Sequence, residues 1–184
     1  MQKAIENTVN CFLEKIRNKK VRIISHYDTD GITSAAIFSQ TLKKLDKRFS
    51  VKIVKALEKD SVKELDTSDI IVLLDLGSSC LEELAALNTD VFVIDHHEIC
   101  GKPGKNTFFL NPHVFNEETI SGAGLTYLFC KAINPENKEL ANLAVVGMVG
   151  DMLDRELSKL NNKIIEDADV VIKKGLLLYP ATRP

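Results

Sequence analysis

The sequence contains no tryptophan, few aromatic residues and no surplus of charge of either sign. Aromatic residues make up 6% of the 184 positions, which leaves little material for stacking on nucleic-acid bases. The 24 lysines and arginines are offset by 26 acidic residues, for a net charge of −2. A domain that holds a phosphate backbone by itself usually carries a basic excess, so the composition argues against a free-standing nucleic-acid-binding domain. The basic stretch at 43–48 is predicted to be the solvated end of a helix.

Long hydrophobic runs and paired cysteines are also missing. The longest apolar runs, such as 70–74, are far shorter than the ~20 residues of a membrane-spanning helix. The N-terminal segment mixes charged and apolar side chains and has no signal-peptide core. The four cysteines are scattered without a CxxC pair, so we expect reduced thiols rather than disulfides or structural zinc. These absences predict a cytoplasmic protein with no membrane segment.

The apolar residues form short runs separated by helical patterns, within a length that suits one domain. Strands alternating with helices predict an α/β fold: a parallel sheet of about five strands with helices on both faces, followed by a helical C-terminal third. Strand-length runs occur at 21–24, 51–54, 70–74, 91–94 and 108–110. Helical periodicity covers 3–17, 32–45, 121–133, 138–149 and 158–174, with Pro135 between two of these helices and Gly175 as the stop of the last.

Aspartate and histidine residues follow three of the predicted strands. Each of them has an ordinary structural explanation, since aspartate commonly caps helices and occupies turns. Together they are more informative, because the carboxyl ends of parallel strands meet at one edge of a sheet. The first strand is followed by His26, Asp28 and Asp30, the third by Asp75, and the fourth by Asp95, His96 and His97, while Asp151 ends a later helical stretch.

So many carboxylates at one sheet edge require compensation of their charge. They would repel one another, and lose hydration, unless cations lay between them. Carboxylates and imidazoles without thiolates suit Mn²⁺ or Mg²⁺ better than structural zinc. Six or more ligands are enough for two ions that share a carboxylate, and two ions ~3.5–4 Å apart are the usual arrangement for phosphoester hydrolysis. The residues therefore predict a two-metal hydrolytic site.

Four segments, in order, resemble the motifs of the DHH phosphoesterase family, and they cover 25–151. The segment SHYDTDGITSAAI at 25–37 is similar to the first motif of the RecJ-like branch, especially archaeal RecJ-like proteins. His26 precedes Asp28 by two residues, whereas the pyrophosphatase and small-nucleotide branches have four, which favours the RecJ-like branch. The segments are His26 to Gly31, Asp75 to Gly77, Asp95 to His97, and Gly147 to Asp151.

The resemblance implies two divalent metal ions, Mn²⁺ by preference with Mg²⁺ as an alternative. Asp75 would bridge the two ions and be central to catalysis. One ion would be held by His26, Asp28 and Asp75, and the other by Asp30, Asp75, His96 and Asp151.

The resemblance also implies roles for residues around the metals. His97 would face the substrate, and Asp95 would lie behind the histidines and fix the orientation of their rings. The segment 121–124 resembles a family segment near the substrate phosphate. Ser121, Gly122 and Gly124 would accordingly offer backbone N–H groups to that phosphate at the start of a helix.

The function implied by the resemblance is that of a metal-dependent exonuclease domain acting on single-stranded DNA or RNA. We expect residues 1–184 to be a single DHH catalytic domain without the family's C-terminal substrate-binding domain, with the chain cut from a longer protein near 175–184. Single-stranded nucleic acid would then be gripped mainly by the missing domain, and the isolated domain would be a weak enzyme.

Two alternatives stay open. One is a small-substrate phosphatase or pyrophosphatase with the same chemistry. The other is a replisome scaffold that binds the GINS complex and the replicative helicase. The complete set of aspartate and histidine ligands argues against an inactive scaffold.

Overall fold

The computed structural model describes residues 1–115, 119–155 and 157–168. Its centre is a sheet of five strands in the order β2-β1-β3-β4-β5, and every neighbouring pair is parallel. All carboxyl ends therefore lie at one edge of the sheet. The five predicted strands are confirmed, with ends shifted by at most two residues. They are β1 Val21–His26, β2 Phe49–Val54, β3 Ile70–Leu74, β4 Val91–Ile94 and β5 Thr107–Leu110.

Seven α-helices and two short 3-10 helices are present in the described part of the chain. The predicted α/β class and helical C-terminal third are confirmed. The predicted helix at 138–149 begins three residues late, because a 3-10 helix at Pro135–Leu140 precedes it. The predicted extension to 174, the stop at Gly175 and the chain end at 175–184 lie outside the described residues. The α-helices are α1 Gln2–Lys15, α2 Thr29–Lys44, α3 Lys59–Lys63, α4 Leu81–Ala85, α5 Gly122–Ile133, α6 Ala141–Gly150 and α7 Lys159–Ala168.

The sheet is covered on both faces, as predicted, by two separate apolar layers. Successive strand residues point to opposite faces, so alternate positions of β1, β3 and β4 feed each layer. The larger layer packs under α1, α2, α5 and α6, and Phe12 lies at its centre, 5.1 Å from the Phe92 ring and 5.4 Å from the Phe38 ring between centroids. The smaller layer packs under α3 and α4 through Val62 and Leu84. The central strands are thus buried on both sides, and this rigid base carries the polar residues at its carboxyl edge.

The last helix is tied to the core by polar contacts. The Tyr127 hydroxyl of α5 donates to the Asp167 carboxylate of α7 at 2.8 Å, and Lys131 forms an ion pair with the same carboxylate. Burial raises the pKa of Asp167, but the hydrogen bonds from Lys131 and Tyr127 outweigh it and lower that pKa below its ordinary value. None of the helices in the described part of the chain combines the length and apolar character needed to cross a bilayer.

Candidate metal centre

The tight turn between β1 and α2 positions the first group of site residues. Asp28 caps α2 by accepting a hydrogen bond from the Gly31 amide at 2.9 Å. Only glycine fits at position 31, because a Cβ atom there would lie 2.3 Å from the carbonyl oxygen of His26. The turn therefore places His26, Asp28 and Asp30 within one short segment at the carboxyl edge of the sheet.

Asp75 follows β3 and is a buried carboxylate of the site without hydrogen-bond partners among the described residues. Its backbone is left-handed (φ 57°), which is uncommon for a residue other than glycine, asparagine or aspartate. The side chain is 1% exposed, and neither carboxylate oxygen has a hydrogen-bond partner among the described residues. Burial, reinforced by the charges of Asp30 and Asp28 and opposed by His96, raises the pKa of Asp75 to about 8. A buried carboxylate left in this state indicates that something else compensates for its charge.

His26, Asp28 and Asp75 form the first ligand group. The His26 Nδ1 atom lies 2.8 Å from Asp28 Oδ2 and 3.4 Å from Asp75 Oδ2. Despite these short distances, His26 Nδ1 makes no hydrogen bond of acceptable geometry with any described residue. One donor atom from each residue lies within 4.8 Å of the other two. Short separations without hydrogen bonds are expected of ligands directed at a common cation rather than at one another.

His96, Asp30 and Asp151 form the second group, and Asp75 adjoins both. The His96 Nε2 atom lies 3.2 Å from Asp151 Oδ2, 3.7 Å from Asp30 Oδ2 and 3.2 Å from Asp75 Oδ1. Burial and the charge of Asp30 raise the pKa of Asp151 to about 6. Burial lowers the pKa of His96, but the adjacent carboxylates of Asp75 and Asp30 outweigh it and raise the value overall. The fold thus brings all six sequence-predicted ligands together.

The start of α5 is joined to this site by hydrogen bonds. The Gly122 amide donates to Asp30 Oδ2 at 2.6 Å, the Ala123 amide donates to Asp30 Oδ1 at 2.9 Å, and the Gly124 amide donates to the Ser121 hydroxyl at 3.0 Å. These amides are buried and already have acceptors. The Gly122 and Gly124 amides thus have acceptors within the protein, and the role predicted for Ser121, Gly122 and Gly124 toward a substrate phosphate stays a prediction. Their observed role is to cap α5 and to hold the Asp30 carboxylate.

Gly122 and Gly147 allow helices to approach the site closely. A Cβ atom on Gly122 would lie 2.8 Å from Asp75 Oδ1, and one on Gly147 would lie 2.5 Å from Asp30 Oδ1. A side chain at either position would enter the space between the carboxylates. Spacing alone could not have identified these contacts, because they join segments that are far apart in the sequence.

Asp95 holds the loop that carries His96 and His97. Its Oδ1 atom accepts from the backbone amides of His96 and His97 and lies 2.8 Å from His97 Nδ1, while its Oδ2 accepts from the Ser78 amide at 2.9 Å. Burial raises the pKa of Asp95, but the bonds from His97 and Ser78 outweigh it and lower that pKa to about 2. Asp95 therefore contacts the ring of His97, whereas it contacts His96 only through the backbone, and its predicted role in orienting the rings stays a prediction.

His97 differs from His96 in exposure and charge. Its side chain is 54% exposed, against 15% for His96. The hydrogen bond to Asp95 raises the pKa of His97 to about 9, so the ring is cationic at neutral pH. A cavity of about 250 Å³ opens beside it and is also lined by His26, Lys55, Leu57, Asp75 and Leu76. His97 is thus placed where a bound anion would meet it.

Asn111 and His113 also support the histidine loop, although the motif analysis did not include Asn111. The buried Asn111 side chain donates to the His97 carbonyl at 2.9 Å and to the Ser78 hydroxyl at 3.0 Å. The His113 Nε2 atom lies 3.1 Å from the His96 carbonyl oxygen. The sequence signal that could have identified Asn111 is the Asn-Pro pair directly after β5, because it lies at the same edge of the sheet as the other site residues.

The donor set fits divalent cations that prefer oxygen and imidazole ligands. Four aspartates and two histidines contribute to the two groups, and no thiolate takes part in either of them. This chemistry suits Mn²⁺ and Mg²⁺ rather than structural zinc. The two oxygens of Asp75 lack hydrogen-bond partners among the described residues, which suits a carboxylate that two cations would share.

Comparison with known proteins finds a matching family model and a similar archaeal protein. Residues 20–148 match the family model described as the DHH family, N-terminal domain. An uncharacterized protein of Methanocaldococcus jannaschii is 31% identical over 179 residues, which covers 90% of this chain and 41% of that protein. The chain thus spans about two fifths of that relative's length.

RecJ proteins are similar to this chain in sequence and in fold. The single-stranded-DNA-specific exonuclease RecJ of Thermus thermophilus is 30% identical over 156 residues, covering 74% of this chain and 23% of that protein. Its structure in complex with Mn²⁺ matches with a TM-score of 0.72 at 26% identity, over 90% of this chain and 26% of that chain. A structure of exonuclease RecJ bound to manganese matches with a TM-score of 0.76 at 23% identity, over 90% of this chain and 47% of that chain.

Proposed function

Because the chain belongs to the DHH family and is related to the RecJ exonucleases, we propose that it is a two-metal phosphodiesterase acting on single-stranded DNA or RNA. The observation that carries the proposal is the shared position of Asp75. It lies against both ligand groups, is buried, and has no hydrogen-bond partner among the described residues. A carboxylate in that position suits a bridge between two cations better than any structural role.

The residues divide into two sets of ligands. His26, Asp28 and Asp75 would hold one ion, and Asp30, Asp75, His96 and Asp151 would hold the other. Mn²⁺ is the preferred ion and Mg²⁺ the second candidate, in line with the oxygen-rich donor set. When bound, such a pair activates water at neutral pH and neutralises charge on the phosphate oxygens.

His97 supplies the contact to the substrate. Its cationic ring lies at the mouth of the 250 Å³ cavity and is locked in orientation by Asp95. A phosphate oxygen beside the metal ligands would accept a hydrogen bond from this ring. The same ring can give a proton to the departing oxygen, because its Nε2 is not the atom that contacts Asp95. Asp95 stays ionised throughout, since its pKa is about 2.

The catalytic role is proposed for one domain, within residues 1–184. The chain spans 41% of the archaeal relative and 23% of RecJ from Thermus thermophilus, so the activity of neither whole protein is transferred to it.

A small-substrate phosphatase is the second candidate. The observation that favours it is the size of the cavity beside His97, because about 250 Å³ suits a compact substrate such as pyrophosphate. A replisome scaffold that binds the GINS complex and the helicase has no such support, because an inactive scaffold does not need a buried, costly carboxylate at Asp75.

A hydrolysis assay tests the proposal. The chain would be incubated with Mn²⁺ or Mg²⁺ and, in parallel, with a labelled single strand, a dinucleotide and pyrophosphate. The expected result is metal-dependent cleavage of the strand that Asp75→Ala abolishes and Asp46→Ala, a change at an exposed left-handed position, does not. Cleavage of pyrophosphate alone would support the second candidate. No cleavage of any substrate with bound metal present would contradict both.

A further inference from the structure

A second concentration of charge lies at the opposite edge of the sheet, where the strands begin. Four lysines or arginines lie in 17–22, around the turn before β1. Four more lie in 43–48, around the turn before β2. Eight of the 24 cationic residues thus occur in these two six-residue segments, which contain a single acid, Asp46. The near-neutral total of the chain conceals this asymmetry.

The fold brings the two turns together around one groove. The Lys47 ammonium donates to the Arg17 carbonyl at 3.0 Å, and the Val21 amide donates to the Arg48 carbonyl at 3.1 Å. The groove between them has a volume of about 640 Å³, and Lys20, Arg22, Lys47 and Arg48 line it, with Asp69 as its one acidic residue. This volume is within the ~300–1,000 Å³ range of ligand sites.

The cations of the groove are only partly compensated. Arg22 is paired with Asp66 at 2.6 Å and with Asp69 at 3.5 Å. Lys20 and Arg48 are exposed and have no ion pair within residues 1–115, 119–155 and 157–168. The groove therefore carries excess positive charge on side chains that are free to meet an anion.

Helix capping does not account for this arrangement. Lys43 and Lys44 lie in the last turn of α2, where positive charge complements the helix dipole. Lys20 and Arg48, in contrast, immediately precede β1 and β2 and are not in a helix. The expectation that 43–48 is a solvated helix end therefore explains Lys43 and Lys44 and leaves the groove-lining cations unexplained.

We propose that this groove binds the phosphodiester backbone of a single-stranded nucleic acid at a site separate from the metal centre. Arg22 and His26 lie near opposite ends of β1, four residues and about 13 Å apart along the strand. The groove would thus hold a strand away from the point of cleavage. The positive charge of the groove indicates a phosphate-bearing ligand, and the choice of nucleic acid as that ligand rests on the proposed function.

Binding is measured by fluorescence anisotropy with a labelled twelve-residue oligothymidylate in the presence of a chelator, so that the metal centre does not contribute. The test variant is the double substitution Lys20→Gln and Arg48→Gln. The matched control is Lys102→Gln with Lys105→Gln, which removes the same charge from an exposed loop leading into β5, three strands away from β1. Circular dichroism and thermal unfolding check that both variants fold.

The wild-type chain is expected to bind, with log affinity that falls linearly as log salt concentration rises. The steepness of this fall is expected to be smaller by about 1.4 in the test variant, because two phosphate contacts are lost. The affinity of that variant falls about 25-fold at 0.1 M salt, while the control stays within about twofold. Equal losses in both variants, no loss in either, or no binding by the wild-type chain would overturn the proposal. Full displacement by inorganic phosphate at constant ionic strength would also overturn it, because it indicates a single-anion site.

The outcome is separable from the proposed function. Binding in a chelator does not depend on hydrolysis, and metal-dependent cleavage of a dinucleotide does not need the groove. Cleavage without groove binding would overturn this inference alone, and groove binding without cleavage would overturn the proposed function alone.

Discussion

Replacing Asp75 by asparagine is expected to stabilise the metal-free protein while removing its response to divalent cations. The Asp75 pKa rises from its ordinary value of 3.8 to about 8 through burial and neighbouring charge. Its folded-state pKa is above its unfolded value, so the associated stability is complete below about pH 4 and is lost as pH rises toward 8. At pH 7 the loss is on the order of 4 kcal/mol.

Asparagine removes this loss because it cannot ionise, and it tolerates the left-handed backbone at position 75. Its buried amide hydrogens would lack acceptors, at a cost of about 1–2 kcal/mol. The net gain is therefore about 2–3 kcal/mol at neutral pH, or an increase in Tm of about 5–10 °C. The gain should shrink as pH falls toward 4, because Asp75 of the wild type then causes no loss.

Thermal unfolding in a chelator between pH 4 and 8 measures this effect, and the scan is repeated with Mn²⁺. The control is Asp46→Asn, which makes the same substitution at an exposed left-handed position (φ 52°). It is expected to leave Tm nearly unchanged at every pH. A decrease in Tm for Asp75→Asn at pH 7, or an equal gain in the control, would refute the reasoning. So would undiminished stabilisation of Asp75→Asn by Mn²⁺.

Three further predictions concern other contacts of the site and the core. Asp30→Ala is expected to lower the free energy of unfolding by about 2–4 kcal/mol in urea titrations, because two buried amides lose their acceptor; an unchanged midpoint would contradict this. Asp95→Asn should return the pKa of His97 from about 9 toward its ordinary value, as followed by NMR titration without metal, and a pKa that stays near 9 would show that Asp95 is not the cause. Asp167→Asn should destabilise the protein at neutral pH but less at low pH. The reason is that the lowered pKa of Asp167 gives stability that is present above the unfolded-state pKa and is lost as pH falls. A difference in stability from wild type that does not depend on pH, with Tyr127→Phe as the partner control, would count against this prediction.

The fold was predictable because its strands are short, apolar and buried on both faces. The apolar runs at 70–74 and 91–94 coincide with β3 and β4. Every residue of these central strands is buried, so the apolar run begins and ends with the strand. The helices α3 and α4 were not predicted, because five residues are too few to show a helical period. The 3-10 helix before α6 was merged with it for a related reason, since both present apolar residues to the same core.

The site was predictable to the level of which residues meet, but not of how each is held. The carboxyl edge of a parallel sheet brings His26, Asp75 and His96 together whatever the loops between them do. The left-handed backbone of Asp75 and the bonds from the α5 amides to Asp30 depend on contacts between distant segments. Local patterns carry no record of such contacts, and the predicted role of the amides at 122 and 124 toward a phosphate came from the family resemblance alone.

The most direct test of the central claim is an anomalous-scattering map from crystals of the chain soaked in Mn²⁺. Two manganese peaks are expected, one beside His26 and Asp28 and one beside His96 and Asp151, with Asp75 contacting both. A single peak would contradict the two-metal arrangement. No peak at saturating Mn²⁺ would contradict the metal centre itself.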